Sequence, residues 1–316
     1  MIYIFLFILL FALQLLYFRI ADRFNIIDKP NQRSSHRSIT LRGGGIIFFI
    51  GAISYFVISG FQYPWFFAGL TLISMISFAD DIKPQKSGIR LFVHFISMLL
   101  MFYQWDLFHF PWYFTIISLV LCTGILNAYN FMDGINGITG AYSMVVLSGL
   151  LYSNNFLHHF IDNQFIFILL LALLVFNFFN FRKKAKCFAG DVGAIAIAFS
   201  IIFLLGKLFI ETDKPGYIVL LAVYGVDSVL TIIHRLILKE NIFEPHRKHL
   251  FQIMANELKI PHLAVSGIYA LLQLIIFAGF IFFIDYDIIY LLLTIFVLST
   301  IYIVVKKRFY HLHKTN

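Results

Sequence analysis

The chain is 316 residues long, 60% hydrophobic and only 13% charged, with a mean hydropathy of +0.87; soluble domains carry roughly 25% charged residues. A soluble enzyme, a nucleic-acid-binding module and a disordered tail are excluded, and the composition describes an integral membrane protein. The net charge of +8 is therefore a question of which side of a bilayer the lysines and arginines occupy.

In chain order, eleven mostly apolar stretches qualify for the length of about 20 residues, within a range near 17 to 25, that a helical span needs. They begin near Ile2, Gly44, Trp65, Ile89, Trp112, Ile135, Gln164, Val192, Gly216, Leu263 and Asp287. The first lacks a basic flank and a small-residue cleavage site, so it is expected to be a retained helix and not a signal peptide. Of the 24 Lys and Arg, 22 fall in alternate connections, leaving Lys207 and Lys214 on the other side. An excess of Lys and Arg marks cytoplasmic loops, so the N-terminus is expected outside and the C-terminus in the cytoplasm. The expected fold is all-α, one polytopic transmembrane domain over residues 1–316. Cys122 and Cys187 make no disulfide framework.

Five basic-side segments hold nearly all the reactive side chains. The first, Asp28 to Gly45, carries Arg42 and ends in three glycines, which either bring backbone N–H groups to a phosphate or form a flexible entry from a basic loop lying on anionic lipid. The second pairs Asp80 with Asp81 at a helix C-terminal end, where the helix dipole disfavours them; a metal, a basic loop, or Lys83 and Lys86 would compensate. In the third, Asn127, Asn130 and Asp133 fall at three-residue spacing before Gly134 and Gly137, suited to a held cation or to a hydrogen-bonded turn. The fourth, Phe188 to Gly193, places Asp191 at a helix start, as a metal ligand or an ordinary N-cap. The fifth presents His246, Arg247 and His249, a group that grips phosphate or a solvated basic loop. Oxygen donors without a Cys or His cluster favour Mg²⁺ over zinc. Asp227 sits apart in the ninth stretch, as a functional group or one hydrogen-bonded near Ser228.

Asp80-Asp81, Asn127-x-x-Asn130-x-x-Asp133-Gly-x-Asn-Gly, Phe188-x-Gly-Asp191-x-Gly and His246-x-x-His249, in this order, resemble the polyprenyl-phosphate N-acetylhexosamine-1-phosphate transferases. The resemblance covers nearly the whole chain. It implies transfer of a sugar-1-phosphate from a UDP-N-acetylamino sugar to undecaprenyl phosphate on the cytoplasmic face of the cell membrane, with release of UMP, to begin a cell-envelope polysaccharide such as O-antigen. It also implies Mg²⁺ (or Mn²⁺) on Asp191, Phe188 on the uracil, Asn130 and Asp133 at the nucleotide diphosphate or its metal, and Asn127 among the substrate-binding residues. Asp80 and Asp81 would lie where the lipid phosphate arrives, one as a base. His246, Arg247 and His249 would meet the sugar phosphate, and Arg42 the substrate. A homodimer is compatible with the resemblance, and nucleic acid is not expected as a partner.

Two departures stand out. Ile39-Thr-Leu-Arg42 replaces the Pro-Thr-Pro-Arg common in relatives, and the fifth loop lacks the three consecutive histidines of the muramoyl-pentapeptide enzymes, which turns the expectation toward GlcNAc and related sugars. The rival from another class is an ion-coupled transporter or channel whose path Asp133, Asp191 and Asp227 would line. It requires polar residues through the bilayer's depth, whereas all but Asp227 lie at the edge.

Overall fold

The computed structural model describes residues 1–29, 39–241, 244 and 246–314. The basic stretch at 30–38 within the first polar segment therefore lies outside the described residues. The chain runs α1 (Ile2–Arg23), β1 (Ile27–Asp28), β2 (Thr40–Leu41), α2 (Ile46–Ile58), α3 (Pro64–Ile82), α4 (Ser87–Gln104), α5 (Trp112–Met132) and α6 (Ile138–Phe156). It continues with α7 (Asn163–Asn180), α8 (Gly190–Thr212), α9 (Ala222–Ile237), the single turn α10 (Leu250–Gln252), α11 (His262–Phe282) and α12 (Asp287–Lys314). Each expected apolar stretch is helical and begins within a few residues of its expected start, and the protein is an all-α membrane protein.

Among the described residues nine helices are long and apolar enough to cross a membrane. α2, with 13 residues, and α6, with 19, stand outside that set. α6 carries Ser, Gly and Asn among its apolar residues because it is largely an interior helix, packed against α7, α8 and α11 and buried at Thr139, Ser143, Ser153 and Asn154.

The helices sort by burial. α8 lies at the centre: 78% of its apolar window is buried, against 17% for α5 and for α12. It packs on α2, α3, α5 and α6. α1 lies at the periphery and buries Leu6, Leu10, Gln14, Tyr17 and Ala21, a stripe at helical spacing, with its remaining faces open. Exposed apolar side chains on such outer helices are what a lipid-facing surface presents.

The ninth span is not helical in one piece. Its first residues, Pro215–Leu221, form a 3₁₀ turn before α9. Irregular backbone at membrane depth is tolerated where protein groups satisfy it, and Gln273 of α11 does so, donating to the Val219 carbonyl at 2.9 Å and accepting from the Val223 N–H at 3.2 Å.

Candidate active site

The polar segments meet at one end of the bundle because the first loop is docked on the start of α8. β1 and β2 pair antiparallel, and the Phe188 N–H donates to the Leu41 carbonyl at 2.8 Å. The Gly44 and Gly45 N–H groups donate to the carbonyls of Phe188 and Ala189 at 2.8 and 3.0 Å. These two amides are thus spent within the protein and do not point at a phosphate. The glycines serve close approach instead: a Cβ on Gly45 would stand 2.4 Å from the Gly193 Cα. Gly190 has a positive φ of +71°, and a Cβ there would fall 2.5 Å from Asp81 Oδ2.

This docking delivers Arg42 to the carboxylates. Its Nε is 2.6 Å from Asp81 Oδ1 and its Nη2 is 3.3 Å from Asp191 Oδ1. Burial opposes the Arg42 charge, but Asp81 and Asp191 together hold the guanidinium above its ordinary value. Arg90 of α4 completes the clamp, with Nη1 3.0 Å from Asp80 Oδ2 and Nη2 3.4 Å from Asp191 Oδ2. The compensation that the adjacent carboxylates require comes from Arg42 and Arg90.

Asp81 is buried and braces α8: its oxygens accept the Asp191 and Val192 N–H groups at 2.9 and 3.0 Å, two donors that a helix N-terminus leaves without an intrahelical partner. Asp80 accepts the Gln85 N–H at 2.7 Å beside its contact with Arg90. Asp191 itself sits in the first turn of α8, whose N-cap is Ala189, so Asp191 does not cap the helix.

A cavity of about 250 Å³ opens beside this clamp, lined by Asp28, Arg42, Asn130, Asp133, Asn136, Asn180, Phe188, Asp191, Gln252 and His262 among others. α5 stops at Met132, which leaves Asp133 just past its end, facing the cavity. The Asp133 carboxyl accepts the Thr139 hydroxyl at 2.7 Å, and burial pushes it up to about 6 against that hydrogen bond. Asn130 and Phe188 line the cavity as well, whereas Asn127 is exposed and does not. Cys187, next to Phe188, is buried, which pushes its thiol up and makes it an inert packing group.

The fifth loop lies to one side. His246 and His249 pack with ring centroids 4.9 Å apart and their planes tilted by 30°, and they flank Phe131 of α5 at 6.2 and 6.4 Å. Neither His246, Arg247 nor His249 lines the cavity; Gln252 does, from the turn that His249 begins. Burial, then His249, pushes the His246 imidazole down to about 3, so it works as a neutral group.

The loop is held by a residue whose role the sequence left open. Asp227 is buried in α9 and accepts the Leu250 N–H at 2.9 Å, the Tyr269 hydroxyl at 2.7 Å and the Thr231 hydroxyl at 3.2 Å. His249 Nδ1 lies 3.4 Å from its Oδ1. Its lone pairs anchor α10 and do not line an ion path. Asn180, like Arg90, carried no signal in the sequence: its amide oxygen accepts the Gly137 N–H at 2.7 Å and its nitrogen donates to the Cys187 carbonyl at 2.8 Å, tying the third segment to the fourth.

Residues 63–208, which hold Asp80, Asp81, Asp133 and Asp191, match the family described as glycosyl transferase family 4. The chain is 27% identical to a probable undecaprenyl-phosphate N-acetylglucosaminyl 1-phosphate transferase of Bacillus subtilis over 73% of this chain and 70% of that protein. It is 25% identical to the undecaprenyl-phosphate alpha-N-acetylglucosaminyl 1-phosphate transferase of Yersinia pestis over 80% of this chain and 75% of that one. The Escherichia coli K12 protein of that name is 26% identical over 78% and 74%.

Proposed function

We propose that this protein is a member of that family and transfers an N-acetylamino-sugar-1-phosphate, GlcNAc-1-phosphate first among the candidates, from a UDP-sugar to undecaprenyl phosphate on the cytoplasmic face of the plasma membrane. The observation that carries the reading is the convergence on Asp191: two arginines from separate segments grip it, and it shares a cavity with Asp133, Asn130 and Phe188. Oxygen and cationic groups so gathered suit phosphoryl transfer, which asks mainly for positioning and charge neutralisation. The names of the relatives and the count of Lys and Arg on one side support acceptor and face.

In the reaction an oxygen of the lipid phosphate forms a bond to the β-phosphorus of the UDP-sugar. The bond from that phosphorus to the bridging oxygen breaks, and UMP leaves with the electron pair. A phosphate monoester is already largely ionised at neutral pH, so the attack requires no general base, in keeping with the bracing positions of Asp80 and Asp81. Arg42 and Arg90 would neutralise the diphosphate as charge moves to the leaving group. Asp133 and Asn130 would orient it, and Phe188 would pack on the uracil.

The donor set fits Mg²⁺, with Mn²⁺ as its substitute. Asp133 and Asp191 offer carboxylate oxygens and Asn130 and Asn136 amide oxygens to one cavity. Among the described residues no group of three or more His, Cys, Asp or Glu forms a ready cage, and Mg²⁺ is usually bound by one or two carboxylates with waters and substrate phosphates completing its shell. Asp191 would hold the ion, which supplies charge neutralisation at the diphosphate when bound.

The test is mass spectrometry of the lipid fraction after membranes containing the protein, or its Asp191→Asn variant, are offered undecaprenyl phosphate and a panel of UDP-sugars. The expected result is one undecaprenyl diphosphate-sugar together with UMP, absent from the variant and from EDTA-treated samples. A lipid monophosphate-sugar together with UDP, or equal product from Asp191→Asn, would overturn the reading.

A further inference from the structure

A second cleft, of about 510 Å³, lies between α9 and α12 and shares no lining residue with the cavity at Asp191. One part of its wall is apolar and open to the outside: Ile233, Ile237 and Ile303 are exposed hydrophobic side chains. The rest is Leu230, Tyr302, Lys306, Lys307 and Tyr310, with His234 edge-on to Tyr310.

Lys306 is the anomaly. Only 4% of it is exposed, and among the described residues no carboxylate lies within ion-pair distance of its amine. That amine donates to the Tyr302 hydroxyl and sits 4.8 Å above the Tyr302 ring and 5.9 Å from that of Tyr310. The acids whose charge it feels are engaged elsewhere, Asp227 with the Leu250 N–H and Tyr269, and Glu240 with Arg235 and Lys248. Removing a cation from water without a paired anion is costly. An anion entering the cleft from the lipid side would supply the missing charge, and an aliphatic chain attached to it would cover the isoleucines.

We propose that this cleft binds an anionic phospholipid, its phosphodiester on Lys306 and Lys307 and an acyl chain along Ile233, Ile237 and Ile303. The occupant is a bilayer phospholipid and not the transfer acceptor, because the two cavities share no wall and a reacting phosphate must reach the group at Asp191. The lipid is also coupled to the fifth loop. Lys306 contacts the Tyr302 hydroxyl, which is 2.7 Å from the Thr231 hydroxyl; Thr231 donates to Asp227, and Asp227 holds the Leu250 and Phe251 N–H groups. Phosphate on Lys306 therefore steadies the His249 turn.

Native mass spectrometry of the purified full chain with phosphatidylglycerol tests binding directly, independently of any activity. Wild type and Lys306→Arg should retain the lipid. Lys306→Met should lose at least about fivefold in affinity, the scale of about 1 kcal/mol per basic residue at an anionic surface, while Lys239→Met, outside the cleft, should not. Equal retention by Lys306→Met overturns the site. On the wild type alone, phosphatidylcholine should fail to displace phosphatidylglycerol; displacement by it, or by undecaprenyl phosphate at far lower concentration, overturns the assignment to an anionic phospholipid. Phosphatidylglycerol should slow hydrogen exchange across residues 249–253 in wild type and not in Thr231→Val; equal exchange with and without lipid in wild type removes the coupling.

Discussion

Arg42 touches two carboxylates from different helices, and its loss is felt at both. Arg42→Ala leaves buried Asp81 with its two backbone donors but no cation. The expected cost is about 1–3 kcal/mol of stability, read as a lower melting temperature in detergent, with a fall in kcat/KM of about tenfold or more. Normal kinetics in Arg42→Ala would detach the clamp from the chemistry. His246 supplies a pH prediction. In the folded protein burial pushes it down to about 3, whereas an unfolded histidine titrates near 6.5. The unfolded state therefore binds more protons below about 6.5, and stability falls as the pH drops from there toward 3. His246→Gln should flatten that part of the melting-temperature profile; an unchanged slope would refute the neutral, buried imidazole. Asp191, Asp133 and Asn130 were legible as candidates because each is a polar group beside an apolar run, and the structure brings all three to one cavity. Arg90 and Asn180 were not, since each joins a near partner, Asp80 or Cys187, to a distant one, Asp191 or Gly137, that no local spacing encodes.

At the scale of elements, the three glycines show how one residue pattern admits two physical readings. Gly43 to Gly45 suggested a phosphate cradle, and the Gly44 and Gly45 N–H groups instead dock the first loop on the start of α8, where Gly45 crosses Gly193. Gly193→Ala should force these backbones apart, costing about 1–3 kcal/mol and, by withdrawing Arg42, more activity than stability would predict. Retained kcat/KM in a folded Gly193→Ala protein would contradict this. The fifth loop carries a complementary expectation. His249→Ala should lower turnover about tenfold or more while UMP binding persists, because Gln252, and not the histidines, faces the cavity. Loss of UMP binding would move the loop to the nucleotide end. Asp227 escaped a firm reading because a buried acid near Ser228 looks alike whether it binds substrate or anchors a turn. Besides Thr231 in its own helix, its partners Leu250 and Tyr269 lie 23 and 42 residues on.

For the whole molecule, the helix positions were readable because lipid imposes length and apolarity on each outer helix, whereas α2 and α6 are shaped by packing within the bundle. The convergence of all the polar segments at one end agrees with their common charge signature. Reporters fused after Arg90, Lys186 and Lys259 should therefore face the cytoplasm, and those after Gln62 and Asp213 the outside; a mixed result among the first three would split the site between faces. The claim on which the rest depends is that the sugar moves together with its phosphate. UDP-GlcNAc labelled with ³²P at the β-position, incubated with the purified protein, Mg²⁺ and undecaprenyl phosphate, decides it. The label should pass to the lipid fraction as UMP accumulates, and lipid glycosylation with the label left behind in UDP would contradict the account.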